Sequence, residues 1–164
     1  MRLALVLLIA IYIAEPKIAL SIVLFILGSY GTAQSQTVVT FYTTLGDFEV
    51  ELYDAQMPIT VGNFLSLVDQ EFYDGIIFHR VMQNFIVQGG DPTGTGMGGS
   101  KKPNLKAEFN DIKHERGVLS IARSAAPDSA NSQFFIMLAD SSHLDGQYSA
   151  FGKVIEGMEF VDKI

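Results

Sequence analysis

Two runs near the start of the polar part of the chain, Val38–Thr43 and Phe48–Tyr53, are rich in β-branched and aromatic residues and flank Leu45-Gly46-Asp47. Gly and Asp between two such runs predict a hairpin. Pro58 then stands where a first helical turn tolerates a missing N–H, and Val61, Phe64, Leu65 and Val68 recur at helical spacing, so the pattern predicts a helix over about 58–69. Asp74-Gly75 reads as a turn before a strand over Ile76–Val81. Phe85–Gln88, Gly117–Ala122, Gln133–Leu138 and Ser149–Val154 read as further short strands, and Glu156–Ile164 as the start of a second helix. Many short strands with few helices predict a mainly β fold closed into a barrel. No internal repeat and no low-complexity segment follows residue 36.

Residues 1–33 follow a different pattern. Leu3–Ala14 is apolar, Glu15-Pro16-Lys17 interrupts, and Ile18–Leu27 is apolar again. Neither run alone reaches the ~20 residues of a membrane-spanning helix. Lys17, the apolar run after it and the small residues Gly31 and Ala33 around Thr32 fit a signal peptide cut after Ala33. The expectation is therefore export, periplasmic or secreted. The alternative is an uncleaved membrane anchor that spans both runs, with Pro16 as a kink. Residues 34–37 form a short polar linker, and one domain occupies 38–164.

Composition narrows the function classes. The formal net charge is −7, and residues 1–33 hold Arg2 and Lys17 against Glu15, so the remainder is the more acidic part. Nonspecific nucleic-acid binding needs the opposite sign. The chain has no cysteine, which excludes disulfides and zinc-thiolate sites. His79, His114 and His143 lack metal-ligand spacing, and His79 reads as a buried structural histidine in its strand. Gly94-x-Gly96-x-x-Gly99 matches a dinucleotide fingerprint, but Lys101-Lys102-Pro103 follows in place of an apolar helix, and Ser100 occupies the lysine position of a phosphate loop. Serines near Asp128 or Asp140 lack a nucleophile elbow. No cofactor or metal is expected.

What remains is the run Phe78–Asp91, strand-like yet carrying Arg80 in its middle and ending in Gly89-Gly90-Asp91, and the later run Asn131–Met137 with Gln133 beside two phenylalanines. A cation, two glutamines and large apolar side chains on strands suit a site that holds a polar backbone against an apolar pocket. A glutamine between apolar strand residues is costly unless paired, which supports a polar role for Gln88 and Gln133.

These runs resemble the cyclophilin family of peptidyl-prolyl cis/trans isomerases, in a compact-loop form like the bacterial members. From near Val38 to Ile164 the landmarks occur in order: Phe78-His79-Arg80, Gln88-Gly89-Gly90-Asp91, Gly94–Gly99, Ser120–Arg123, Ser132–Ile136, Leu144-Asp145-Gly146 and Phe151–Val154. The resemblance implies a closed eight-stranded antiparallel β-barrel capped by two helices. Family members continue past the position of Ile164 with a last strand, so the expectation is a truncated chain with that strand missing.

The resemblance also implies roles. Arg80 matches the catalytic arginine and Gln88 a glutamine that orients it; Gln133 matches the glutamine that orients the substrate backbone. Phe85, Ile86, Phe135 and Leu144 match the proline pocket, Ile86 standing where methionine is common. Ala122 and Arg123 fall where main chain bonds the peptide preceding proline, Arg123 replacing the usual asparagine, and Gly96 lines the same groove. His143 lies where cyclosporin-sensitive members carry tryptophan and Tyr148 where many carry histidine, so weak cyclosporin binding is expected. The implied partners are unfolded or flexible polypeptides with exposed Xaa-Pro bonds, as for a folding enzyme or chaperone, with the chain monomeric. The rival reading is a noncatalytic proline-peptide binding module or holdase; Arg80 with both glutamines favours the enzyme.

Overall fold

A computed structural model describes residues 36–164. The expected signal or anchor, and the first part of the linker, lie outside the described residues. Seven strands run in chain order: β1 (Val38–Phe41), β2 (Phe48–Leu52), β3 (Arg80–Met82), β4 (Ile86–Gly89), β5 (Val118–Ile121), β6 (Phe134–Met137) and β7 (Ala150–Glu156). Helix α1 (Pro58–Val68) follows β2 and helix α2 (Met158–Val161) follows β7. The strands form one sheet in the order β1-β2-β7-β5-β6-β4-β3, with every neighbouring pair antiparallel.

The mainly β, antiparallel part of the expected fold, with its two helices, is present. Among the described residues there are seven strands, and no hydrogen bonds join the edge strands β1 and β3. The sheet is nonetheless rolled. Phe41 on β1 meets Phe134 on β6 edge to face at 5.7 Å, whereas strands four places apart in a flat sheet would lie about 19 Å apart. Twist and coiling bring the far strands round a common interior. Between β1 and Ile76–Phe78 an apolar cleft of about 820 Å³ remains, lined by Val39, Phe41, Phe78, Phe134 and Ile164 among others.

Other boundaries shift for local reasons. The strand expected over Ile76–Val81 forms only at Arg80–Met82, because residues 76–79 have no ladder partner. The helix expected from Glu156 starts later: Glu156 still pairs with Glu49, and Gly157 turns the chain at φ +81° before α2. Helix α1 begins at Pro58 as expected, but Met57 supplies no side-chain cap. Glu108 caps it from a distant loop, accepting the Ile59 and Thr60 N–H groups at 3.0 and 2.6 Å. A carboxylate at a helix N-terminus satisfies orphan donors and complements the helix dipole.

The packing that matters for function is two-sided. Strands β5 and β6 are buried at every position. Successive side chains alternate faces. One set, including Phe48, Val50, Leu52, Phe64, Leu119, Phe134, Ile136 and Phe151, fills the interior beneath α1. The other set, Ile86, Val118, Phe135, Met137, Leu144 and Ala150, forms a second cluster with Phe85, Ala122 and Tyr148 packed against it. The candidate site grows from this second cluster.

Candidate active site

Strand register lays the site out in a row. Arg80 pairs with Gln88, Gln88 with Phe135, Phe135 with Ser120, and Ser120 with Ala150. Residues directly opposite one another share a face of the sheet, so β3, β4, β6, β5 and β7 each place one residue of this row on the same side. The turn Met82–Phe85 closes with the Phe85 N–H donating to the Met82 carbonyl at 3.0 Å, and Asn84 takes φ +58°. Asn tolerates that left-handed conformation better than most residues. The turn brings Arg80 back opposite Gln88.

Arg80 is exposed, and Nη1 donates to Gln88 Oε1 at 3.3 Å while Nη2 approaches Met82 Sδ at 3.0 Å. Gln88 Nε2 donates to Gln133 Oε1 at 2.9 Å. Gln133 Nε2 in turn donates to the Gly96 and Gly98 carbonyls at 3.1 and 2.7 Å. Each amide thus has a donor end and an acceptor end in use, which fixes the orientation of both glutamines.

The loop carrying those carbonyls is gathered round Asp91, which is 1% exposed. Its Oδ1 accepts the Thr93 N–H and hydroxyl, both at 2.8 Å. Its Oδ2 accepts the N–H groups of Thr95, Gly96 and Gly98 at 3.1, 2.6 and 3.1 Å. Burial pushes the Asp91 carboxyl up, but the N–H and hydroxyl donors from Thr93, Gly98 and Gly96 outweigh it and hold the group well below the usual carboxylate range. A polar line therefore runs from a buried carboxylate through the glycine-rich loop, Gln133 and Gln88 to Arg80.

A cavity of about 380 Å³ opens beside Arg80. Phe85, Ile86, Phe135 and Leu144 supply apolar walls, and Gln88, Ala122, Arg123, His143 and Tyr148 also line it. The His143 ring stacks on Phe85 at 5.8 Å, and Tyr148 meets Phe135 edge-on at 5.6 Å. Ten of the twelve residues expected at the site line this cavity. The other two, Gln133 and Gly96, lie behind it and bond to each other. The larger cleft beside β1 has no comparable grouping of a cation with oriented amides.

Sequence reasoning missed three parts of the arrangement. Gln147 lines the cavity. In the sequence Asp91 is part of a turn, and its only further signal is an acceptor-only side chain just before a run of glycines. His114, 1% exposed, backs Phe135 in a stacked contact at 6.2 Å. Its Nδ1 faces Asp145 Oδ1 at 3.3 Å and its Nε2 faces Ser120 Oγ at 3.1 Å. Burial pushes the His114 imidazole pKa down, against the raising effect of Asp145. Ser120, His114 and Asp145 stand in the order of a hydrolase triad, but Ser120 is 0% exposed and no substrate carbonyl reaches it. His79 is half-buried just before β3 rather than within it. Among the described residues no group of His, Asp and Glu is arranged to hold a metal ion.

The family model for "Cyclophilin type peptidyl-prolyl cis-trans isomerase/CLD" matches residues 38–164. The peptidyl-prolyl cis-trans isomerase of Acinetobacter baylyi is 45% identical over 138 residues, covering 80% of this chain and 73% of the relative. Peptidyl-prolyl cis-trans isomerase-like 1 of Emericella nidulans is 46% identical over 132 residues, covering 78% of this chain and 81% of the relative. A crystal structure of a Cryptosporidium parvum cyclophilin type peptidyl-prolyl cis-trans isomerase, in the presence of the dipeptide Ala-Pro, superposes with a TM-score of 0.74 at 39% identity, over 77% of this chain and 84% of that one. Fold, order of landmarks and relatives agree, and the chain belongs to the cyclophilin-type peptidyl-prolyl cis-trans isomerases.

Proposed function

We propose that the isomerase works by arginine stabilisation of a twisted Xaa-Pro amide in the cavity beside Arg80. The barrier of roughly 18–20 kcal/mol comes from amide resonance, and the unaided bond turns over on the order of tens of seconds. Removing the resonance needs no nucleophile and no acid-base pair. As the amide twists, the prolyl nitrogen becomes pyramidal and its lone pair accepts a hydrogen bond from Arg80. In the planar forms that lone pair is delocalised into the carbonyl, so the interaction is stronger in the transition state than in either ground state. Phe85, Ile86, Phe135 and Leu144 hold the ring while the preceding carbonyl swings. Gln88 keeps the guanidinium aimed, Gln133 and Gly96 brace Gln88 from behind the cavity, Ala122 and Arg123 offer main chain to the residues before proline, and His143 and Tyr148 close the rim. The carrying observation is the single row of Arg80, Gln88 and Phe135 on one face of the sheet.

The substrates are exposed Xaa-Pro bonds in unfolded or flexible polypeptides, which the shallow, exposed position of Arg80 suits. Export through residues 1–33 and a monomeric state belong to the same reading and rest on the sequence pattern. An eighth strand closes the barrel by filling the apolar cleft beside β1, whose lining is that of an unfilled interior. Isomerisation of a short Xaa-Pro peptide, measured with the protein and with Arg80→Ala, tests the proposal. Acceleration by the first and near-loss in the second is the expected result; equal rates would remove Arg80 from the mechanism.

A further inference from the structure

Two arginines, Arg80 and Arg123, line the same small cavity of a chain with eighteen acidic residues and eleven Lys or Arg. The four ion pairs among the described residues engage Lys113, His114, Arg116 and Lys153, and neither cavity arginine belongs to one. Nearby carboxylates are committed elsewhere. Glu108 caps α1, Asp128 accepts the Ala107 N–H at 2.9 Å, and Asp145 is engaged by His114 and Lys113.

Arg123 is also held still. Its Nε and Nη2 donate to the Gln147 carbonyl at 3.0 and 2.8 Å, and Nη1 to the Ser124 carbonyl at 2.9 Å. Its guanidinium lies 4.7 Å from the Tyr148 ring centroid and 5.6 Å from that of Phe109. Carbonyl oxygens and ring faces carry no net charge, so they orient a guanidinium without neutralising it. The ordering entropy of a long side chain is already spent in the free protein, so a ligand carboxylate need not supply it.

Building on the reading of this groove as the isomerase site, we infer that Arg123 selects substrates with a carboxylate side chain, Asp or Glu, within a residue or two of the isomerised proline. Arg80 is occupied with the amide nitrogen, so Arg123 carries the selection. It acts as a fixed charge rather than a bidentate fork, because most of its N–H groups already have acceptors. Such a rim charge changes specificity and encounter more than intrinsic rate, and salt weakens it.

The test compares uncharged-terminus tetrapeptides Ala-Xaa-Pro-Phe with Xaa as Glu, Gln or Lys, and their counterparts with Xaa after proline, by NMR exchange and by shift titration. Expected kcat/KM falls from Glu to Gln to Lys by about threefold to fivefold per step at low salt, the size of one exposed ion pair, and the steps shrink at high salt. Arg123→Gln flattens the order and Arg123→Glu reverses it. Equal values for the three peptides at both positions, or an unchanged order in Arg123→Glu, would overturn the inference. If Arg123→Glu does not fold, the salt response of the unaltered protein decides in the same way. If no peptide is isomerised, the catalytic reading fails separately, and the titrated affinities still rank Glu against Lys.

Discussion

Asp91→Asn is the sharpest probe of the polar line behind Arg80. The substitution keeps the shape and exchanges one acceptor oxygen for an NH2 group. The retained oxygen is best placed at the Oδ2 position, where it still accepts Thr95, Gly96 and Gly98. The NH2 then faces the Thr93 N–H, two donors with nothing between them; the Thr93 hydroxyl can rotate to accept, but the N–H cannot. One orphaned buried N–H costs about 1–3 kcal/mol, and three bonds that lose their charge assistance weaken further, so the loss should be about 2–4 kcal/mol. Urea unfolding followed by circular dichroism measures it. The pH dependence adds a second readout. The native carboxyl lies below its unfolded value of about 3.9, so its contribution is complete above that pH and declines as pH falls from there toward the depressed native value. The variant should lack that part of the acid slope. Isomerase activity should fall too, because the loop whose Gly96 and Gly98 carbonyls hold Gln133 is more weakly anchored. A variant within about 0.5 kcal/mol of the original, with the same acid slope, would refute the account of this loop.

Three further outcomes follow from the geometry. Arg80→Ala should cut kcat/KM by about 10²-fold or more, as loss of an aimed transition-state donor does, while the exposed position leaves the urea midpoint nearly unchanged; Arg80→Lys should recover little because the fork is lost. The depressed His114 pKa means the unfolded chain binds the proton more readily, so stability is complete above the unfolded value of about 6.5 and falls as pH drops from there through the native value; His114→Gln should flatten that slope in melts recorded across the range. His143→Trp should tighten cyclosporin binding, read by calorimetry, because a larger ring with an N–H would replace the imidazole stacked on Phe85; unchanged binding would show that the rim residue does not set it.

Much of the frame was legible because apolar side chains had to alternate or recur. The β1–β2 hairpin and helix α1 lie where Phe48, Val50 and Leu52, or Val61 and Phe64, demand an interior, and strands β4 to β7 where Val87, Leu119, Ile136 and Phe151 do. The cavity residues were legible through the resemblance rather than through any period, since Phe135 and Phe134 read alike as core until the register assigns them opposite faces. Three things were not legible. The short β3 is one: Ile76–His79 has strand-like side chains, but whether a partner lies alongside depends on which strands pair across the chain. Asp91 acts on backbone N–H groups, which leave no mark in a side-chain pattern. The contact of His114 with Ser120 and Asp145 joins residues on separate elements and needs the packed structure to bring them together.

The strand order also dictates when this enzyme can exist. Leu52 pairs with Gly152, and Glu51 with Lys153, so β2, beyond its hairpin partner β1, finds its other neighbour only at the far end of the domain. Such nonlocal pairing slows folding and defers the cooperative step. A chain emerging from a ribosome first presents a hairpin with both edges bare, a template for stray strand pairing. The seven-stranded sheet cannot be completed until β7 has emerged, and β5, which carries Ser120 beside Phe135, gains its second neighbour only then. Catalytic competence therefore arrives late and all at once, and a folding catalyst of this design has no working half.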